Sequence, residues 1–287
     1  MANEPFMVSL KDRIASSYQE LSVKQRQVAQ YAYDHSGEVF FLSARQLADR
    51  AGVSEASVSR FARSLGFSSY AAFREALARE ALQEERTTKR LADTAAQFRK
   101  QGILAGILDR DVENIQRMRH SLPQEAFNRA VEALCSARRI YVLGLRSSYA
   151  LAFYFTFNLR FVLNNVVQLQ PNVEDLPEQI LEAGKEDLLA AISFKRYTRR
   201  TVELTEAVRA RGATVIGLTD SELSPIAQVA SIRLVACAEL PTFFESYTAP
   251  MSLLNAVLTA VAVNAEDRAM PALDRLETAL EDLGTYY

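Results

Sequence analysis

SARQLADRAGVSEASVSRFARSLGF, residues 43–67, reads as two short helices joined by a tight turn, and the rest of the chain can be placed around it. Leu47, Ala48 and Ala51 fall on one face of the first helix. The Ser43 hydroxyl can cap it, accepting from an amide that a helix start leaves without a partner. Gly52 ends that helix, because glycine enters the left-handed region at no steric cost, and Val53 is apolar enough to plug the corner. Ser54 is a good N-cap for a second helix, in which Val58, Phe61, Ala62 and Leu65 recur at three- and four-residue steps and face inward. The opposite face carries Glu55, Ala56, Ser57, Ser59, Arg60 and Arg63. Small residues let a helix backbone approach the major groove of DNA, and arginines reach bases or phosphates. A helical hairpin with merely solvated arginines has the same pattern, so the surrounding charge matters. Arg45, Arg50, Arg60, Arg63, Arg74 and Arg79 stand against Asp49, Glu55 and Glu75, a basic segment in a chain whose formal net charge is −2. Even a few phosphate contacts supply much of the non-specific affinity for DNA. The residues this reading offers to a double-stranded operator are Ser43, Arg45, Ser54, Ser57, Ser59, Arg60, Arg63 and Tyr70.

The chain has 287 residues, long for one domain, and its hydrophobic fraction of 49% is ample for packed cores. No apolar run is long enough to span a bilayer, and the opening MANEPFMVSLKDR lacks the basic start and apolar core of a signal peptide, so a cytoplasmic protein that does not engage a membrane is expected. Cys135 and Cys237 lie in apolar neighbourhoods and read as buried reduced thiols. His35 and His120 are far apart, without ligand-spaced partners. Nothing therefore calls for a metal or a cofactor, and little is available for histidine-based catalysis.

Ahead of the central stretch, Leu10–Tyr18 and Ser22–His35 read as helices, the second with Val23, Val28, Ala29 and Ala32 at helical spacing and Ser22 as its cap. Residues 38–42 can pack beneath the two-helix unit, and residues 69–85 are helical, with Phe73, Leu77 and Leu82 on one stripe. Together these give a helical DNA-binding domain over residues 1–82. Residues 83–100, QEERTTKRLADTAAQFRK, are highly charged without a core pattern and are read as the linker, in coil or as a solvated helix.

From residue 101 to 287 the pattern alternates. Helices are expected at 103–121 and 124–137, strands at 139–143, 166–169, 188–192, 214–218 and 232–235, and further helices at 147–161 and 199–211. Buried strands separated by helix-length segments imply an α/β domain with a doubly wound parallel sheet. In such sheets ligands bind beyond the carboxyl ends of the strands. The candidate turns are Gly144-Leu145-Arg146-Ser147-Ser148, Ser193-Phe194-Lys195-Arg196-Tyr197-Thr198 and Thr219-Asp220. Hydroxyls and amides at helix starts suit an anion, although the same serines could simply cap the following helices.

Residues 21–80, with the run Ser54-Glu55-Ala56-Ser57-Val58-Ser59-Arg60-Phe61 and Leu65-Gly66-Phe67, resemble the N-terminal domain of RpiR-type bacterial transcription regulators. The later strand ends resemble the sugar isomerase (SIS) fold that such regulators carry behind it. Gly144 and Ser148 match the first turn, usually Gly-x-Gly-x-Ser, and Ser193 and Thr198 match the ends of the second, usually Ser-x-Ser-Gly-x-Thr. Arg146 stands where the first pattern has Gly, and Lys195 and Arg196 where the second has Ser and Gly, so three cations replace small residues. The resemblance implies a regulator, not an enzyme, whose operator binding responds to a small anionic effector such as a sugar phosphate. Because one helix-turn-helix offers too few contacts for a specific site, a homodimer or homotetramer on a palindromic operator is expected. The effector residues are then Gly144, Arg146, Ser147, Ser148, Ser193, Lys195, Arg196, Tyr197, Thr198 and Glu245. Glu245 stands where SIS isomerases carry an acidic residue that can act as a base. With no histidine or lysine partner identified, it reads as a hydrogen-bonding group. A sugar-phosphate isomerase with an accessory helical domain is the alternative, and it differs in predicting turnover.

Overall fold

The computed structural model describes residues 10–35, 39–84, 87–98, 102–170 and 176–286. The chain divides into two compact units, Met1–Ala96 and Gln97–Tyr287.

The first unit contains α1 (Leu10–Ser17), α2 (Val23–Asp34), α3 (Ala44–Ala51), α4 (Glu55–Ser64), α5 (Tyr70–Glu84) and α6 (Thr87–Phe98). Ser43 caps α3 as expected: its hydroxyl accepts from the Gln46 amide at 3.2 Å, and the Gln46 side chain accepts from the Ser43 amide at 2.8 Å. Gly52 closes α3 in the left-handed conformation, φ 66°. Leu47, Val58, Phe61, Ala62, Leu65 and Phe73 are buried with Val28, Ala29 and Ala32 of α2, and Phe61 meets Phe73 edge-on at 5.5 Å. Each large side chain so enclosed contributes about 1.5–3 kcal/mol. Val23, counted with the apolar stripe of α2, is instead 74% exposed, at the first residue of that helix. Most of the segment read as a linker is helical, in α6. Leu82 and Glu38 belong to expectations whose side chains or positions lie outside the described residues.

The second unit runs α7 (Ile103–Ser121), α8 (Gln124–Ser136), β1 (Ile140–Gly144), α9 (Tyr149–Val162), β2 (Val166–Gln168), α10 (Leu176–Gln179), β3 (Leu188–Ile192), α11 (Arg199–Ala210), β4 (Thr214–Thr219), α12 (Pro225–Val229), β5 (Ile232–Val235), α13 (Thr248–Asn264) and α14 (Glu266–Asp282). The sheet is parallel throughout, in the order β2-β1-β3-β4-β5. Strands β1 and β3 are buried along their whole length, as expected of strands covered on both faces. Alternation sorts the layers: Ile140, Val142, Leu188 and Ala190 pack with α8, α9 and α13, while Tyr141, Leu143, Leu189 and Ala191 pack with α11 and α12. Short α10 and α12 escape the sequence reading because neither is long enough to show a period. Leu253, Leu254, Val257 and Val261 of α13 are core residues. Cys135 and Cys237 are free thiols and half-buried rather than buried. No single described helix is long and apolar enough to cross a membrane.

Helix α9, which follows β1, covers one face of the sheet, and α11, which follows β3, covers the other. Since β1 and β3 are adjacent, with Gly144 paired to Ile192, the switch of faces falls between their carboxyl ends.

Candidate functional site

On the first unit, Arg45 of α3 and Arg60 and Arg63 of α4 are exposed, Ser43 and Ser54 are exposed at the helix starts, and Ser59 is half-buried. Two expected DNA contacts are corrected. Ser57 is 3% exposed rather than outward-facing, because it lies one turn before Phe61 on the inner stripe. Its hydroxyl pairs with Ser54 Oγ at 3.0 Å and accepts from Arg60 Nη2 at 3.1 Å. Ser54 therefore occupies the N-cap position but spends its hydroxyl on Ser57 instead of on a helix amide. Tyr70 is likewise internal: its hydroxyl donates to the carbonyls of Val39 and Leu42, at 3.3 and 3.0 Å, and burial pushes its pKa up to about 12. It ties the segment before α3 to α5. What remains outward is a set of arginines on two adjacent helices, which suits the phosphates and base edges of a duplex.

On the second unit, the two candidate turns lie side by side because their strands are paired. Gly144 is dictated by packing: a Cβ there would stand 2.5 Å from the Ser148 carbonyl oxygen and 2.8 Å from Ala152 Cβ. Arg146 adopts φ 55°, so it keeps the left-handed backbone that a glycine would favour while exposing a guanidinium. Ser148 and Ser193 are buried, Ser147, Lys195 and Arg196 are exposed, and Tyr197 and Thr198 are half-buried. Ser148 and Thr198 sit at the N-cap positions of α9 and α11, and neither makes a side-chain capping bond. The Tyr197 hydroxyl donates to Asp220 Oδ1 at 2.9 Å. Burial pushes the Asp220 carboxyl above its ordinary value, and the Tyr197 hydrogen bond and the Lys195 charge pull it partly back. Asp220 thus joins the second turn to the end of β4.

Sequence reasoning missed Tyr247. Its hydroxyl donates to Ser147 Oγ at 2.9 Å, and its ring lies 5.4 Å from that of Phe194, so it touches both turns. Half-buried Glu245 is two residues away on the same loop. The available signal was the position of this loop, just before a long apolar helix. Hollows of about 370 and 420 Å³ open elsewhere, at the amino ends of β3 and β4 and between α9 and α14, and neither is lined by a residue of the candidate turns.

Residues 8–84 match the family model described as the helix-turn-helix domain of the rpiR family, and residues 133–260 match the SIS domain. The chain is 29% identical over 241 residues to the HTH-type transcriptional regulator HexR of Pseudomonas aeruginosa, a match covering 82% of this chain and 80% of the relative. A solved RpiR transcription factor from Sphaerobacter thermophilus, represented by its sugar isomerase domain, is 28% identical with a TM-score of 0.59, over 62% of this chain and 99% of that one. The Vibrio vulnificus NanR protein, solved in complex with ManNAc-6P, shares the fold over 96% of this chain and 99% of its own, with a TM-score of 0.66 at 20% identity.

Proposed function

Because this chain joins an rpiR-family helix-turn-helix domain to a SIS domain and is homologous to HexR regulators, we propose that it is a cytoplasmic transcription regulator whose grip on a palindromic operator changes when a small anion, a sugar phosphate or a related carboxylate, occupies the strand-end turns. The observation that carries the effector half is the juxtaposition at the switch point. Ser147, Ser148, Ser193 and Thr198, with the cations Arg146, Lys195 and Arg196, are brought together by two neighbouring strands. Charge-assisted donors at helix starts hold phosphate or carboxylate oxygens. The hydroxyls, amides and cations of these turns serve holding. Isomerisation would need a placed proton acceptor, and Glu245, on the neighbouring loop, is the acidic candidate.

A homodimer or homotetramer fits this reading, since one helix-turn-helix makes too few contacts for a specific site. Helix α9 supports it with a ladder of Tyr149, Phe153, Phe157 and Phe161, of which Phe153 and Phe157 are each 53% exposed. Titration calorimetry of the full-length protein against sugar phosphates, dicarboxylates and neutral sugars tests the effector. Binding of an anion is expected, and replacing Lys195 and Arg196 by Ser and Gly should change which compound is preferred while operator binding without effector persists. Tight binding of a neutral compound alone would overturn the reading.

A further inference from the structure

We propose that Tyr247 is a positioning residue that, through Ser147, sets the site's preference for hydrogen-bond acceptors, and that Asp111, Asn114 and Arg117 of α7 hold it there. The proposal rests on the reading of the strand ends as an effector site.

Chemistry at Ser147 supplies the first step. A serine hydroxyl has one proton to give and lone pairs that can accept. Tyr247 donates to Ser147 Oγ at 2.9 Å, so the lone-pair side is engaged and the serine proton is directed to another acceptor. A hydroxyl that accepts one hydrogen bond is also polarised to donate a stronger one. Ser147 is exposed on the turn that carries Arg146, so the group it meets there is best served by an oxygen without a proton, such as that of a phosphate or carboxylate. The Tyr247 ring against Phe194 places the same side chain beside the second turn, between Ser193 and Lys195 in sequence. One residue thereby contacts both turns.

The second step is how Tyr247 is held. Asp111 accepts from Ser246 Oγ and, at 2.8 Å, from Thr248 Oγ1, the residues on either side of it. Asn114, fully buried, donates through Nδ2 to the Glu239 carbonyl at 2.7 Å, and Arg117 Nη1 meets Glu239 Oε2 at 2.6 Å. Positions 111, 114 and 117 are spaced at three, so one face of α7 grips both ends of the loop. Inside the loop, the Ser246 amide donates to the Ala238 carbonyl at 3.0 Å and Thr242 Oγ1 donates to the Phe244 carbonyl at 2.8 Å. Loop and helix form one braced piece. Any displacement of Tyr247 by an effector is therefore transmitted to α7, the first helix of the second unit.

Inorganic phosphate is the probe for the test, followed by phosphorus NMR titration of the full-length protein. Tyr247→Phe keeps the ring and removes only the donor, and it should weaken phosphate binding by about 3- to 10-fold, as expected for one lost neutral hydrogen bond. Tyr247→Phe combined with Ser147→Ala should lose no more than Ser147→Ala alone. Asp111→Ala, outside both turns, should weaken binding by a similar factor, and Asp111→Asn, which keeps an acceptor oxygen, should restore most of it. That rescue separates positioning from a merely structural role. If Asp111→Ala fails to fold, Tyr247→Phe and Asp111→Asn carry the test. Wild-type affinity in Tyr247→Phe, with phosphate binding weakened on replacing Lys195 and Arg196 by Ala, would overturn this inference and leave the effector site standing. Phosphate binding insensitive to Lys195 and Arg196 as well, or absent altogether, would overturn both.

Discussion

Arg60 on α4 and Arg146 beyond β1 are both exposed cations, one in each unit, and they are held in opposite ways. Arg60 sits in a regular helix, with its guanidinium donating to Ser57 and its helix anchored by Phe61. Arg146 sits in a left-handed turn, φ 55°, two residues after Gly144, whose backbone packs tightly against Ser148 and Ala152. In the first unit one continuous amphipathic pattern both builds the core and points the functional side chains outward. In the second, the core is built by strands and the candidate site is whatever their ends bring together. A local site survives only while its helix is packed. An assembled site tolerates local change better, because its parts are fixed by separate elements.

The strongest way to break the first half of that comparison is Phe61→Ala. Phe61 is fully buried against Phe73, so the substitution should cost about 3–5 kcal/mol in the first unit and abolish operator binding, with phosphate binding by the strand-end turns kept. Chemical denaturation and a mobility shift check it, and an intact operator complex would show that the helix pair does not depend on this core.

Arg60→Ala leaves that core untouched and should weaken operator binding by about 1–3 kcal/mol while melting is nearly unchanged. Ser57→Ala is the informative companion. Buried Ser57 touches DNA, if at all, only through the arginine it orients, so its loss should lower affinity less than Arg60→Ala and leave sequence preference intact. A changed operator in a selection with Ser57→Ala would restore the direct contact that its spacing first suggested.

Legibility in the sequence follows the same division. The cap at Ser43, the stop at Gly52 and the inner stripe from Val58 to Leu65 are readable because each rests on residues within one helical turn. Ser57 and Tyr70 mislead because a small or amphipathic side chain carries no sign of its direction, and in both the hydroxyl turns inward to a partner. Strands β1 and β3 are readable as apolar runs, but their adjacency is not, because a doubly wound sheet admits more than one strand order and only the structure selects this one. Tyr247 and the grip of α7 on its loop are not readable either, since Asp111 and Thr248 are joined only by the fold.

Tyr70→Phe tests the correction at that residue. Losing the donor to Val39 and Leu42 should cost the first unit about 1 kcal/mol at neutral pH, without a change in which operator is chosen. The sign with pH is fixed by a folded pKa raised from 10.0 to about 12. The hydroxyl's contribution is complete below pH 10 and is lost as the pH rises toward 12. The variant's deficit should therefore shrink over that range in alkaline denaturation, whereas a deficit independent of pH would mean that burial does not raise the Tyr70 pKa.

Arg146→Gly should have the smallest effect and sharpens the other half of the comparison. Arginine at φ 55° carries a backbone cost of about 1 kcal/mol that glycine relieves, while glycine adds about 0.5–1 kcal/mol of chain entropy to the unfolded state. The two nearly cancel, so thermal stability should move by less than about 0.5 kcal/mol in either direction. Because the guanidinium is exposed, its pull on an anion is screened, and phosphate affinity should fall by no more than about 1 kcal/mol, with a smaller loss at high salt. Calorimetry at two ionic strengths reads both quantities. A large loss of stability would mean that Arg146 is held by the fold rather than tolerated by it, and the turn would then belong with the helix-turn-helix, where structure and function are carried by the same residues.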